Sequence, residues 1–180
     1  LASFPAMHGL LLDDTNNRVF FATSNFLDET NVIGAVSKGG GGVDELAVAQ
    51  PAVPYLALAG SRLYFTTWNP GSVRSVDIAP PASVPFEEVA LDGSGFGMQL
   101  IDDQVLYVDF YDGLFSIDPA EAPNPTLRVS HPNIRHFLFT QSDIVFTSAG
   151  SAVKRYVNNV IEDLTSANDP WDIVQDEAYY

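Results

Sequence analysis

The chain has no cysteine, few cations and no long apolar run, and each shortage excludes something. Without cysteine, disulfides and thiolate metal sites are ruled out within this chain, whereas the compartment stays open between the cytosol and bacterial export. No window approaches the ~18 uninterrupted apolar residues of a membrane helix, so no membrane insertion is expected. The opening residues, Leu1-Ala2-Ser3-Phe4-Pro5, show no basic segment leading into an apolar core, so no signal peptide is expected among them. Only 8 basic residues stand against 23 acidic ones, giving a net charge of −15. Such a surface repels phosphate backbones and anionic headgroups, so nucleic acid is not expected as a partner; it aids solubility and attracts cations or a basic partner. Long helical periodicity is absent as well. The best helix candidate, Asp118 to Ala122, lies in a Pro-containing loop and is too short to persist.

What is present favours sheets. Apolar residues make up 46% and charged residues 17%, a globular balance, and the aromatics are chiefly 12 Phe and 7 Tyr among many Val, Leu and Ile. One pattern recurs: a short apolar strand, a polar turn, then a strand with an aromatic-rich centre. The copies are Leu10 to Asp14 with Arg18 to Thr23, Leu56 to Gly60 with Arg62 to Thr67, Leu100 to Asp103 with Val105 to Asp109, and Phe137 to Gln141 with Ile144 to Ser148. A fifth begins at Ile173 to Asp176 and runs to Ala178-Tyr179-Tyr180. Phe20, Tyr64, Tyr107, Val145 and Tyr180 are taken as matching positions, at spacings of 44, 43, 38 and 35. A period near ~40–45 built from strands is the signature of propeller blades.

Each unit continues with two more strands. Third strands are expected at Val32 to Val36, Ser72 to Val76, Leu114 to Ile117 and Val153 to Val157. Shorter fourth strands are expected at Glu45 to Val48, Glu87 to Leu91, Leu127 to Val129 and Val160 to Leu164. The breakers Gly39 to Gly42, Asn69-Pro70-Gly71, Pro80-Pro81, Tyr111-Asp112-Gly113 and Pro119 to Pro125 fall between strands. The expectation is therefore an all-β, β-propeller-type chain of four-stranded antiparallel blades. It forms one partial domain over 1–180, with blades near 5–50, 51–93, 94–131 and 132–168 and the start of a fifth at 169–180.

These motifs resemble the six-bladed YWTD and TolB-like propeller repeats and related bacterial repeat proteins. Carrying the resemblance are Leu12-Asp13-Asp14 with Arg18-Val19-Phe20-Phe21, Arg62-Leu63-Tyr64-Phe65-Thr66, Gly113 to Asp118, and the glycine-rich turn Lys38 to Gly42 before Glu45-Leu46-Ala47. The YWTD tetrad itself is never matched. Six-bladed relatives at this period need roughly 250 residues. Four units and a fragment do not close a ring, so either more chain exists or a partner or additional chain covers the open edge; a closed four- or five-bladed ring competes with both.

Catalytic patterns are scarce. No G-x-S-x-G run exists, and Ser61, Ser72, Ser94 and Ser151 sit beside Gly at turns. Lys38 precedes Gly39 to Gly42, the reverse of a phosphate loop, and Gly93-Ser94-Gly95-Phe96-Gly97 precedes a strand, not a helix. His8, His131 and His136 form no metal-binding run. Asp13, Asp14, Asn16, Asp109 and Asp112 lie in or beside turns, where hard oxygen ligands hold Ca²⁺ or simply cap the turn. At the heads of the innermost strands, Tyr55, Met98, His136 and Trp171, with Gln99 and Asp172 beside them, are expected to ring one mouth of a central channel. Trp68 at a loop tip is expected to be a contact residue.

The function expected is a non-enzymatic binding or scaffold module that recognises a protein, peptide or glycan through its blade loops. The alternative is a propeller hydrolase or lactonase using a channel-bound divalent cation, with Asp172, Gln99 and His136 nearest its site. The missing cysteine, the acidic surface and the resemblance point to secretion, the periplasm or the cell surface.

Overall fold

The computed structural model describes residues 7–23, 31–50, 53, 55–68, 70–79, 84–91, 93–102, 104–109, 111–120, 125–140, 143–150, 152–166 and 170. Among them there is no helix, and sixteen strands form four antiparallel sheets. The first sheet is β1 (Met7–Asp13), β2 (Arg18–Thr23), β3 (Asn31–Ser37) and β4 (Val43–Gln50). The second is β5 (Leu56–Ala59), β6 (Arg62–Thr67), β7 (Ser72–Asp77) and β8 (Phe86–Ala90). The third is β9 (Gly95–Ile101), β10 (Gln104–Asp109), β11 (Gly113–Ile117) and β12 (Thr126–Ser130). The fourth is β13 (Ile134–Phe139), β14 (Ile144–Ser148), β15 (Ala152–Val157) and β16 (Val160–Ser166). Within each sheet the strands lie in chain order, each a plain up-and-down meander.

Short polar turns make the meanders possible. β1 turns into β2 at Asn17, whose φ of 53° is a left-handed conformation that Asn tolerates. β15 and β16 are joined by Asn158-Asn159, both at positive φ (49° and 65°), as a two-residue hairpin twisted with its strands requires. Gly113 opens β11 at a φ of 134°, and a Cβ there would lie 2.1 Å from the Val129 carbonyl oxygen, so only glycine fits.

The innermost strands β1, β5, β9 and β13 pack side by side in sequence, so the four sheets form an arc. The ring is not closed: β1 and β13 are not packed on each other among the described residues. Three cores fill the gaps between successive sheets. Phe20, Ile33, Ala35, Leu56, Leu63 and Phe65 join the first two sheets. Tyr64, Val73, Met98, Val105 and Tyr107 join the second and third, and Val108, Leu114, Phe137, Ile144 and Phe146 the third and fourth.

The strand registers show how the repeat makes these cores. Leu56 opposes Phe65 and Leu58 opposes Leu63; this face of the second sheet looks back at the first. In the third sheet the same positions are Met98 with Tyr107 and Leu100 with Val105; in the fourth they are Phe137 with Phe146 and Phe139 with Ile144. In the first they are Leu10 with Phe21 and Leu12 with Val19. Every sheet thus carries a bulky rearward quartet on its two inner strands, and the second, third and fourth sheets turn theirs toward the sheet before them.

One sequence-based match needs correcting. Phe20, Tyr64 and Val145 share a place in the register, but Tyr107 does not: its equivalents are Phe21, Phe65 and Phe146. Leu106-Tyr107-Val108 is continuously apolar and gives no alternation by which to set the face. Tyr64 and Tyr107 therefore meet across one interface from opposite sides, each 1% exposed. Tyr180 lies outside the described residues.

Leu63 is fully buried in the first core, and its truncation leaves a cavity between two sheets. Leu63→Ala is expected to lower unfolding stability by about 2–5 kcal/mol, read as a lower urea midpoint at unchanged slope, whereas Leu12→Ala, at a side chain 66% exposed, shifts it little.

Candidate functional site

Because the innermost strands run alongside one another, their starts share one side of the arc with the turns that join each second strand to its third. Gly95, at the start of β9, lies against Thr66 near the end of β6, which fixes this sidedness. A group of aromatic rings gathers here. Trp68 follows β6, and its indole Nε1 donates to the Gly95 carbonyl at 3.0 Å while its ring tilts over Phe96 at 5.2 Å. Tyr111, in the turn between β10 and β11, is 61% exposed. Trp68 is accordingly half-buried and pinned to the next sheet, a firmer platform than a loop-tip residue.

Tyr55 and His136 meet on the same side, with ring centres 6.1 Å apart. They belong to the second and fourth sheets, and β9 runs between them. In that row β9 presents Gly97, at a φ of 52°. A Cβ at Gly97 would press on the Phe137 ring at 3.2 Å, so the missing side chain opens the gap across which the tyrosine and histidine approach. The His136 backbone N–H donates to Thr147 Oγ1 at 3.1 Å. His131 is engaged differently: its Nδ1 lies 2.6 Å from the Pro132 carbonyl and its ring stands edge-on to Phe146.

Of the expected channel-mouth set, Tyr55 and His136 come together and Gln99 lies deeper, its amide donating to the Phe137 carbonyl at 3.2 Å. Met98 is 6% exposed and belongs to the core between the second and third sheets, one place along the strand from the mouth row. Trp171 and Asp172 lie outside the described residues. Below the mouth the concave wall of the arc is a cleft of about 520 Å³, walled by Leu11, Leu56, Leu58, Met98, Gln99 and Leu100 and ending at Asp13 and Asp14. Its lining is mixed: leucine side chains and Met98 stand beside the polar Gln99, Thr15, Asp13 and Asp14.

The turn carboxylates have local employment. Asp13 is 5% exposed and accepts from the Asn16 backbone N–H at 3.1 Å and its side-chain amide at 2.8 Å. Asp14 pairs with Lys38. Asp112 is exposed, and Asp109 ends β10 with a side chain that is not described. Among the described residues no three or more His, Asp or Glu side chains gather as metal ligands would. A buried polar knot that the sequence does not reveal joins the second sheet internally: Ser75 Oγ donates to Glu88 at 2.6 Å, and Arg62 lies 3.6 Å from the same carboxylate. Burial, then the Glu88 charge, pushes the nearby Tyr64 phenol above its ordinary value.

The side-chain hydrogen bond from Asn16 outweighs the opposing effect of desolvation and holds the Asp13 carboxyl below the usual carboxylate range. A group lowered on folding contributes stability above its unfolded value, near 3.8, and loses it as pH falls through the lower folded value. Asp13→Asn keeps an acceptor for Asn16 but cannot titrate. Its melting temperature is expected to fall less than that of the parent chain between pH 5 and pH 3, the acid limb being followed by circular dichroism.

No family model and no curated protein matches the chain. Solved structures do match. The computationally designed Ika4 protein superposes at a TM-score of 0.64 and 14% identity, over 86% of this chain and 95% of that one. The designed Ika8 protein gives 0.60 and 15%, over 92% of this chain and 50% of that one. The extracellular domain of the hybrid two-component system BT4673 from B. thetaiotaomicron gives 0.62 and 14%, over 91% of this chain. The chain spans half the length of Ika8 and 22% of the BT4673 chain. At such identities the likeness shows the fold alone: propeller-like, four-stranded antiparallel blades.

Proposed function

We propose that the chain is a binding module whose recognition surface is the side of the arc where the innermost strands begin. Supporting this reading is the gathering of Trp68, Phe96, Tyr111, Tyr55 and His136 from three successive sheets onto that one side. Aromatic faces held on a rigid sheet frame offer large contact area at little loss of side-chain freedom, and turns between strands vary without disturbing the frame. The ligand class that fits is a protein, peptide or glycan that lays apolar or C–H-rich faces on the rings. The net charge of −15 selects neutral or basic ligands over acidic ones.

The test is a screen of immobilised peptides and glycans followed by titration of the best binder. Tyr111→Ala and Trp68→Ala are each expected to weaken binding by at least about tenfold, the range of an interface anchor. Lys38→Ala, at a turn on the opposite side, is expected to leave it unchanged. Binding that survives both aromatic changes but falls with Lys38→Ala would place recognition elsewhere and overturn the assignment.

A further inference from the structure

The first sheet carries a blade face with nothing on it among the described residues. Leu10 and Leu12 stand where Leu56 and Leu58 stand in the second sheet, yet they are 67% and 66% exposed, whereas Leu56 is 8% exposed beneath the first sheet. The surface that covers a rearward quartet everywhere else in the arc is the forward face of the preceding sheet. One forward face has no described sheet against it: that of the fourth sheet, where Leu138, Val145 and Val153 are half-buried.

We propose that the fourth sheet of a second copy of this chain docks on the first sheet's outer face. By two-fold symmetry the reciprocal contact forms at the same time, so two arcs of four sheets close into one ring and no blade face stays open. The existing interfaces set the register. Leu56 lies against Gly9, where a Cβ would be 3.1 Å from its Cγ, and Phe137 lies against Gly97, where a Cβ would be 3.2 Å from its ring. Gly9 and Gly97 each stand one residue before the first rearward side chain of their own sheet; in the fourth sheet that place belongs to His136. Leu10 of one copy therefore packs beside His136 of the other.

Sedimentation of the full 180-residue chain between about 1 and 100 µM, the range in which an interface of ordinary quality is read, is expected to show a discrete dimer. Leu10→Asp with Leu12→Asp alters two exposed side chains, leaves the fold intact by circular dichroism, and is expected to weaken the dimer at least about 100-fold. In this cysteine-free chain, Leu10→Cys combined with His136→Cys is expected to give a covalent dimer under mild oxidation, and either single change is not. If the charged variant misfolds, the cysteine pair decides. A monomer at every concentration would assign the face to a further sheet of a longer polypeptide and overturn the proposal. An open series of higher oligomers, or a dimer indifferent to Leu10 and Leu12, would overturn it as well.

Discussion

Two-sided burial is the constraint on which the rest depends. A four-stranded sheet with apolar side chains on both faces cannot stand alone in water, because only one face can turn inward against its own turns. This chain meets the requirement by stacking. Bulky residues on the two inner strands look back, and the opposing forward faces mix aromatics with small side chains such as Ala22, Ala35, Ala57 and Ser75. Large against small across each gap lets the sheets approach closely without voids. The arc, its curvature and its open ends are consequences of repeating that contact, as is the marked difference between Leu10 and Leu56.

The same stacking positions the recognition side. No single sheet holds the aromatic group; it exists because neighbouring innermost strands start at the same height. Trp68 bonds to Gly95 of the next sheet, and Tyr55 reaches His136 over Gly97 of the sheet that stands between theirs. These links cross the gaps between sheets at their rim, so the surface that would meet a ligand and the contact that holds adjacent sheets together share residues. The outer strands are secured by other means. Arg74 opposes Glu87, Lys154 opposes Asp163 and Arg155 opposes Glu162 across the third and fourth strands, exposed pairs worth about 0.2–1 kcal/mol each at most.

The sequence makes the strands legible because turn chemistry and apolar runs alternate at a steady period, and all sixteen described strands overlap segments expected from that pattern. Register was harder to read. In Leu63-Tyr64-Phe65 and Leu106-Tyr107-Val108 every residue is apolar or aromatic, so nothing local says which ring faces forward and Tyr107 is easily matched to the wrong neighbour; for Met98 the register shift of β9 against Tyr107/Val108 hides which residue faces the mouth. The candidate site was legible only where a residue's height on its strand sufficed, as for Tyr55 and His136. The Trp68 bond to Gly95 spans 27 positions, and the Glu88 knot depends on a register shift that leaves Glu88 of the fourth strand unmatched opposite Val73/Arg74 of the third; neither leaves a local signal.

Charge connects the two proposals and also separates them. Among the described residues, Arg18, Lys38, Arg62, Arg74, Lys154 and Arg155 lie within ion-pair distance of carboxylates of the same chain, so much of the small cationic complement is engaged locally and does not answer the acidic excess. The surrounding field is negative, and it acts oppositely on the two events. A basic ligand approaching the aromatic side is drawn in, an attraction that added salt screens away; a second copy, also at −15, is repelled, a repulsion that salt relieves. Apolar contacts between Leu10, Leu12 and a facing sheet depend only weakly on moderate salt, so ring closure by two copies strengthens as ionic strength rises while capture of a basic partner weakens. The sign of the salt response thus tells which surface is being filled, even when both are open in the same solution.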